Sequence, residues 1–315
     1  MKISLDEAAK LLKDAQTIIL TSHIRPDGDS VGSTLGLMHF LRAQGKDAHV
    51  LIDDEIPRIF NVLPGVETIA RPEEGLRYTA DLLVVCDVEL KRTGAVVPSV
   101  DAVHVLNIDH HVTNDEEAEF LYLNSDDAAT CEIMHDLILQ MGGTFTLDIA
   151  TCLYTGIATD TGFFRFSNTT PHTMRAAADF LEIGVKQSKI AVAMEMKSYD
   201  EVMAQVKAIR NLEMFYDGRV AAVFIDEEKA REVTTTEGLL DKLRVIEGTQ
   251  VVFFMKWLEK DTYRVSMRSK GPNVSRIAQG LGGGGHIRAA GCTLYGSFDE
   301  AKQTILTAIG EELNR

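Results

Sequence analysis

The chain has 315 residues, 45% of them hydrophobic and 25% charged, which suits one or two ordinary globular domains. A net charge of −15 argues against sequence-independent binding along double-stranded DNA, where a basic surface supplies most of the affinity. The four Cys lie far apart without a Cys-x-x-Cys pair, which excludes a zinc knuckle and a disulfide framework and points to buried thiols in a reducing cytoplasm.

In chain order, the N-terminal segment has the pattern of an amphipathic helix rather than a secretory signal, and no apolar run approaches membrane-spanning length. Thr17 to Leu20 read as a short apolar strand, and helical periodicity resumes at Gly32 and continues to Leu41. Between them stand His23, Asp27 and Asp29, with Pro26 and Gly28 as punctuation. An imidazole and two carboxylates on one strand-to-helix loop repel or titrate abnormally unless a cation joins them, so the loop reads as half of a divalent-metal site. A solvated turn with Asp29 or Ser30 as helix N-cap is the competing reading.

Asp47–Ile52 reads as a second strand. Asp81–Asp87 and Val103–Ile108 are continuous apolar runs of the kind buried on both faces of a parallel sheet; the first ends in Asp87, the second runs into Asp109, His110 and His111. Helical patterns follow over Ala128–Met141 and Leu147–Thr159, and another runs from Pro171 to Leu181. Alternating strand and helix predicts a doubly wound α/β domain with a parallel sheet, whose ligand site gathers at the carboxyl ends of the strands. Three strands end there in metal-type residues. Asp160, at the end of an apolar helix, opposes the helix dipole, a conflict that a cation removes. Phe163, Phe164 and Phe166 follow it and could stack a base, although packing is the more ordinary role for at least two of them.

The segment Gly184–Ser188 breaks the pattern and sets the expected boundary: residues 1–187 as the first domain, a linking helix over 188–212, and a smaller mixed α/β domain over 213–315. In that second part the span between Asp261 and Asp299 holds no acid, yet carries Arg264, Arg268, Lys270, Arg276, Arg288 and His286 around four consecutive glycines, Gly282 to Gly285. Such a run lets backbone N–H groups approach an anion, and Arg268 could fork two phosphate oxygens.

His23-x₃-Asp27-x-Asp29, Asp87, the Asp109-His110-His111 triplet and Asp160 in ATDTG, in this order, resemble the four motifs of the DHH phosphoesterase superfamily, and GGGGHIRAAG (Gly282–Gly291) resembles the signature of the DHH-associated C-terminal domain. The resemblance covers essentially the whole chain. Its length resembles the group of oligoribonucleases (nanoRNases) that also act as 3′-phosphoadenosine 5′-phosphate (pAp) phosphatases. It implies two divalent metal ions, Mn²⁺ by donor type: one held by His23, Asp27 and Asp87, the other by Asp29, Asp87, His110 and Asp160. It further implies Asp109 as orienter of a His, and His111 against the scissile phosphate. Arg264, Arg268, Ser269, Gly283, Gly284, Gly285 and His286 are the implied substrate-phosphate contacts. Relatives often carry Lys where this chain has Ile287 and Arg288. The partners so implied are short RNA and nucleotide phosphates, with no long double-stranded DNA, no membrane and a possible homodimer. A cyclic di-AMP or pApA phosphodiesterase and a catalytically silent nucleotide-binding protein are the alternatives.

Overall fold

The computed structural model describes residues 1–114, 116–233, 235–236 and 238–315. The chain divides into two compact units, Met1–Met196 and Lys197–Arg315.

The first unit runs α1 (Leu5–Asp14), β1 (Thr17–Thr21), α2 (Gly28–Ala43), β2 (Asp47–Val50), β3 (Tyr78–Cys86), α3 (Val96–Ser99), β4 (Val100–Asp109), β5 (Phe120–Leu123), α4 (Thr130–Gln140), α5 (Leu147–Asp160), α6 (Pro171–Ile183) and α7 (Gln187–Glu195). Its five strands are ordered β2-β1-β3-β4-β5 and all neighbours are parallel. The apolar runs alternate between two cores. Ile18, Leu20, Leu82, Val84 and Cys86 pack with α1, α2, α4 and α5 on one face, while Ile19, Leu83 and Val85 pack with Val88 and Val96 on the other. This is the expected α/β class. β1 lies between β2 and β3, so the strand order reverses there, and the crevice beyond the carboxyl ends of β1 and β3 is where such sheets bind ligands.

Helix α2 begins at Gly28, four residues before the expected start, because Asp27 caps it in a reciprocal pair with Ser30. Asp27, rather than Asp29 or Ser30, is therefore the N-cap, and Asp29 sits in the first helical turn rather than on an extended loop. Helix α5 packs closely at Gly156, where an added Cβ would overlap Cys131 Sγ and lie 2.8 Å from Asp29 Oδ1. Gly156→Ala is expected to cost about 1–3 kcal/mol through overpacking, read as a lowered Tm, and to weaken metal binding by displacing Asp29.

The second unit runs α8 (Tyr199–Ile209), β6 (Leu212–Phe215), β7 (Val220–Ile225), α9 (Glu227–Ala230), α10 (Leu239–Arg244), β8 (Val251–Glu259), β9 (Thr262–Ser269), α11 (Val274–Gly280), β10 (Gly284–His286), β11 (Ala289–Tyr295) and α12 (Phe298–Leu313). Its sheet is ordered β10-β11-β9-β8-β7-β6, parallel only between β7 and β8. The single helix expected over 188–212 is two helices. Ser198 caps α8 in a capping box with Glu201, and the chain passes into β6 at Leu212. Among the described residues no helix is long and apolar enough to cross a membrane.

Candidate metal centre

His23 follows β1 directly. Its Nδ1 bonds the Ile24 carbonyl at 3.0 Å, so Nε2 is the nitrogen left to face Asp27 Oδ1 (3.7 Å) and Asp87 Oδ2 (3.5 Å). Asp87 closes β3: its N–H continues the ladder to Ile108 O, and its backbone turns into the left-handed region at φ 65°. A non-glycine residue held there carries strain of the sort that collects at functional sites. Its carboxylate is buried and accepts from Thr130 Oγ1 at 3.1 Å.

Asp29 is wholly buried, and its two oxygens accept the N–H groups of Thr130 (2.6 Å) and Cys131 (2.8 Å), the first residues of α4. The free N–H groups and positive dipole end of that helix suit a carboxylate. His110 follows β4; its Nδ1 faces the Asp127 carbonyl at 3.3 Å, which leaves Nε2 to face Asp160 Oδ2 (3.4 Å), Asp87 Oδ1 (3.5 Å) and Asp29 Oδ2 (3.9 Å). Asp160 is the last residue of α5. The structure thus brings together His23, Asp27, Asp29, Asp87, His110 and Asp160. Three donor groups emerge, each with ligand atoms within 4.8 Å of one another: His23–Asp27–Asp87, Asp29–His110–Asp160 and Asp87–His110–His111.

The electrostatics of this cluster ask for positive charge. Burial, then the charges of Asp29, Asp27, Asp160 and Asp109, push the Asp87 carboxyl well above its ordinary range. Burial and the Asp29 and Asp27 charges do the same to Asp160. Burial also works against ionisation of Asp27, but the hydrogen bond and charge of His23 and the bonds from Ser30 outweigh it and hold the carboxyl down at about 2. His110 Nε2 is a buried nitrogen without a hydrogen-bond partner, aimed among three carboxylates. An orphaned imidazole nitrogen beside mutually repelling carboxylates is a donor set that divalent cations fit.

Asp109 and His111 lie beside this cluster. Asp109 is fully buried; Oδ1 accepts from His110 N, His111 N and His111 Nδ1 (2.8, 3.1 and 2.8 Å), and Oδ2 accepts from Asn114 Nδ2 at 2.6 Å. Its hydrogen bond to His111 is the largest influence raising that imidazole above its usual pKa, against the effect of burial.

Sequence reasoning passed over the residues that hold this set in place. Asn114 anchors Asp109 and also donates to Asn107 Oδ1, and Asn107 in turn spans the Val85 and Val88 carbonyls from within the sheet. A fully buried Asn in an otherwise apolar strand was the available signal. Thr130 bonds both Asp29 and Asp87. Arg92 is the cation whose charge reaches His23, and its carbonyl accepts from Ile24 N.

In the second unit, Arg264, Ser266 and Arg268 alternate along β9 with the core residues Val265 and Met267 and so face away from that core. The expected basic patch is smaller than its sequence suggested. Arg276 pairs with Glu312 at 3.1 Å, Arg288 bonds the Gly271 and Pro272 carbonyls, and Lys270 bonds Ile246 O and Thr249 Oγ1. Arg264 and His286 are exposed; Arg268 is half-buried, with Nη1 donating to Met267 O. Ser269 is buried and its hydroxyl donates to Pro272 O at 2.6 Å.

Part of the glycine run is engaged locally. Gly282 and Gly283 donate their N–H groups to Gln279 O and Ala278 O, closing α11, and Gly284 and Gly285 belong to a strand paired with β11. Gly285 has φ 136° and no room for a Cβ against Ala289 O, which explains glycine at that position by close backbone approach. Of the aromatics after Asp160, Phe163 and Phe164 pack against the core and Phe166 is exposed.

Residues 17–157 match the DHH family, N-terminal domain, and residues 217–315 match the DHHA1 domain. A bifunctional oligoribonuclease and PAP phosphatase NrnA of Thermus thermophilus is 37% identical, over 98% of this chain and 94% of its own length. The protein of that name in Bacillus subtilis is 28% identical over 92% of each chain. A crystal structure of an exopolyphosphatase-related protein from Bacteroides fragilis superposes with a TM-score of 0.87 at 25% identity, covering 98% of this chain and 95% of that one.

Proposed function

Because the chain belongs to the DHH family, with a DHHA1 domain at residues 217–315, we propose that it is a metal-dependent phosphoesterase that hydrolyses short oligoribonucleotides to mononucleotides and removes the 3′-phosphate of pAp. The observation that supports it most is the convergence of His23, Asp27, Asp29, Asp87, His110 and Asp160 in one cluster, with Asp29, Asp87 and Asp160 facing the orphaned His110 Nε2.

In this reading His23, Asp27 and Asp87 would hold one divalent ion, and Asp29, Asp87, His110 and Asp160 would hold the second. Two imidazoles among carboxylates favour Mn²⁺ over Mg²⁺, which takes oxygen ligands. The ions supply Lewis acidity, lowering the pKa of water and neutralising phosphoryl charge. The protein supplies position. His23 and His110 are turned by the carbonyls on their Nδ1 atoms, which keeps Nε2 available. Asp109 holds His111 through Nδ1, so Nε2 is the nitrogen left to donate to a phosphoryl oxygen where charge develops. Residues 1–187 are assigned the hydrolysis. Residues 213–315, beyond the linking segment 188–212, are assigned substrate binding, with Arg264, Arg268 and His286 as the phosphate contacts.

Arg268→Ala tests that assignment. Loss of a charge-assisted bond of roughly 1.5–3 kcal/mol lowers kcat/KM about tenfold to a hundredfold. The loss is expected on dinucleotides and pAp and not on bis-p-nitrophenyl phosphate, which offers no second phosphate to grip. Equal kinetics on all three would remove Arg268 from the site. The substrate class is tested by one profile with Mn²⁺ over dinucleotides, longer RNA, pAp, cyclic di-AMP and pyrophosphate. Preference for dinucleotides and pAp supports the proposal, and preference for cyclic di-AMP would replace it.

A further inference from the structure

A second cluster of metal-type donors lies between α4 and α6. His135 and Asp136 are neighbours on α4, with His135 Nδ1 2.9 Å from Asp136 Oδ1. His172, in the first turn of α6, places Nε2 3.0 Å from Asp136 Oδ2 and 3.9 Å from Glu132 Oε1. His135, Asp136 and His172 form one group of donor atoms within 4.8 Å of one another, and Asp127, Glu132 and His172 form another.

Two features distinguish this cluster from a solvated surface network. The first is tautomer geometry. His135 is nearly buried, stacked on Phe145, and its Nε2 lies 3.0 Å from Asp179 Oδ2. With its Nε2–H bonded to Asp179, a neutral His135 would turn the lone pair of Nδ1 toward the Asp136 carboxylate, where a bound cation would take the place of the second ring proton that Asp136 and Asp179 otherwise favour against burial. A carboxylate on the far nitrogen is also how metal-bound imidazoles are oriented. The second feature is charge. Asp127, Glu132, Asp136 and Asp179 gather here, and among the described residues no Lys or Arg forms a salt bridge with any of them. Glu132 is fully buried and fixed by Ala128 N and Thr173 Oγ1.

We propose that His135 Nδ1, Asp136 and His172 Nε2 bind a further divalent ion of the zinc class, distinct from the cluster around Asp87. Two imidazole nitrogens with carboxylate oxygens suit Zn²⁺ or Co²⁺ better than Mg²⁺. The ion ties α4 to α6. Since the first N–H groups of α4 hold Asp29, such a tie also steadies the cluster around Asp87.

The test uses the full chain, stripped with a chelator, loaded with Zn²⁺, freed of excess by gel filtration and counted by mass spectrometry. Wild type is expected to retain one Zn²⁺ per chain more than His172→Ala or Asp136→Asn. His172 and Asp136 are partly exposed, so both variants should fold, which their melting curves report. Asp179→Asn, which leaves all donors in place, is expected to keep the ion with affinity about 10–100-fold weaker. The same difference of one ion is expected in an Asp87→Asn background, which separates this proposal from the assignment of the first cluster. Equal counts in wild type and both variants would overturn it and leave an ion-paired cluster of protonated imidazoles.

Discussion

Asp87→Asn is expected to abolish turnover, by about a thousandfold or more, since removal of even one group stabilising transition-state charge costs about 10²–10³. Among the described residues, Asp87 is the one carboxylate within 3.5 Å of both His23 Nε2 and His110 Nε2. Its replacement therefore weakens both ion sites together. The same change should not harm the metal-free fold. Burial and four neighbouring carboxylates already oppose ionisation of Asp87, and a neutral amide relieves that repulsion. The metal-free variant is expected to melt at or above the wild-type temperature while losing metal-dependent stabilisation. A variant that kept both ions and near-normal kcat would refute the shared position of Asp87.

His111→Ala is expected to lower kcat by about 10²–10⁴-fold, the range for a positioned proton donor, with ion stoichiometry unchanged. His111 differs from His110 in its surroundings. The His110 Nε2 is aimed among three carboxylates, whereas His111 Nδ1 is tied to Asp109 and its side chain is 41% exposed. Asp109→Asn should show a smaller loss of the same kind, because the ring loses the partner that favours its protonated form. Measuring bound metal alongside kcat separates the two roles; loss of an ion in His111→Ala would make it a ligand instead.

The parts of the site that were legible in the sequence are those where chemistry interrupts a pattern. His23, Asp87 and Asp109-His110-His111 each end an apolar run, and parallel strands deliver their carboxyl ends to one edge, so their meeting follows from topology. Asp160 was legible as a charge at the unfavourable end of a helix. What supports them was not legible. Thr130 is an ordinary helix-start residue in sequence, and only the approach of α4 to Asp29 gives it a role.

The local engagement of the glycine run was hidden for a related reason. Sequence shows that Gly282 and Gly283 are free of side chains, not that their N–H groups are taken by the end of α11. Arg276 read as part of a basic patch because its partner, Glu312, lies in another helix far along the chain. The helix expected over 188–212 failed where apolar periodicity outweighed a local signal, the Ser198–Glu201 capping box.

Binding of two divalent ions by the cluster around Asp87, and their use in hydrolysing phosphoesters of short RNA, is the proposed activity on which the other expectations rest. It is tested most directly by stripping the full chain with a chelator and titrating Mn²⁺ while both bound ion and dinucleotide turnover are followed. Turnover is expected to be absent without metal and to rise with occupancy of the Asp87 cluster by its second ion, and Asp87→Asn is expected to show neither. Full turnover in the stripped chain, or turnover that saturates without two ions in that cluster, would contradict the account.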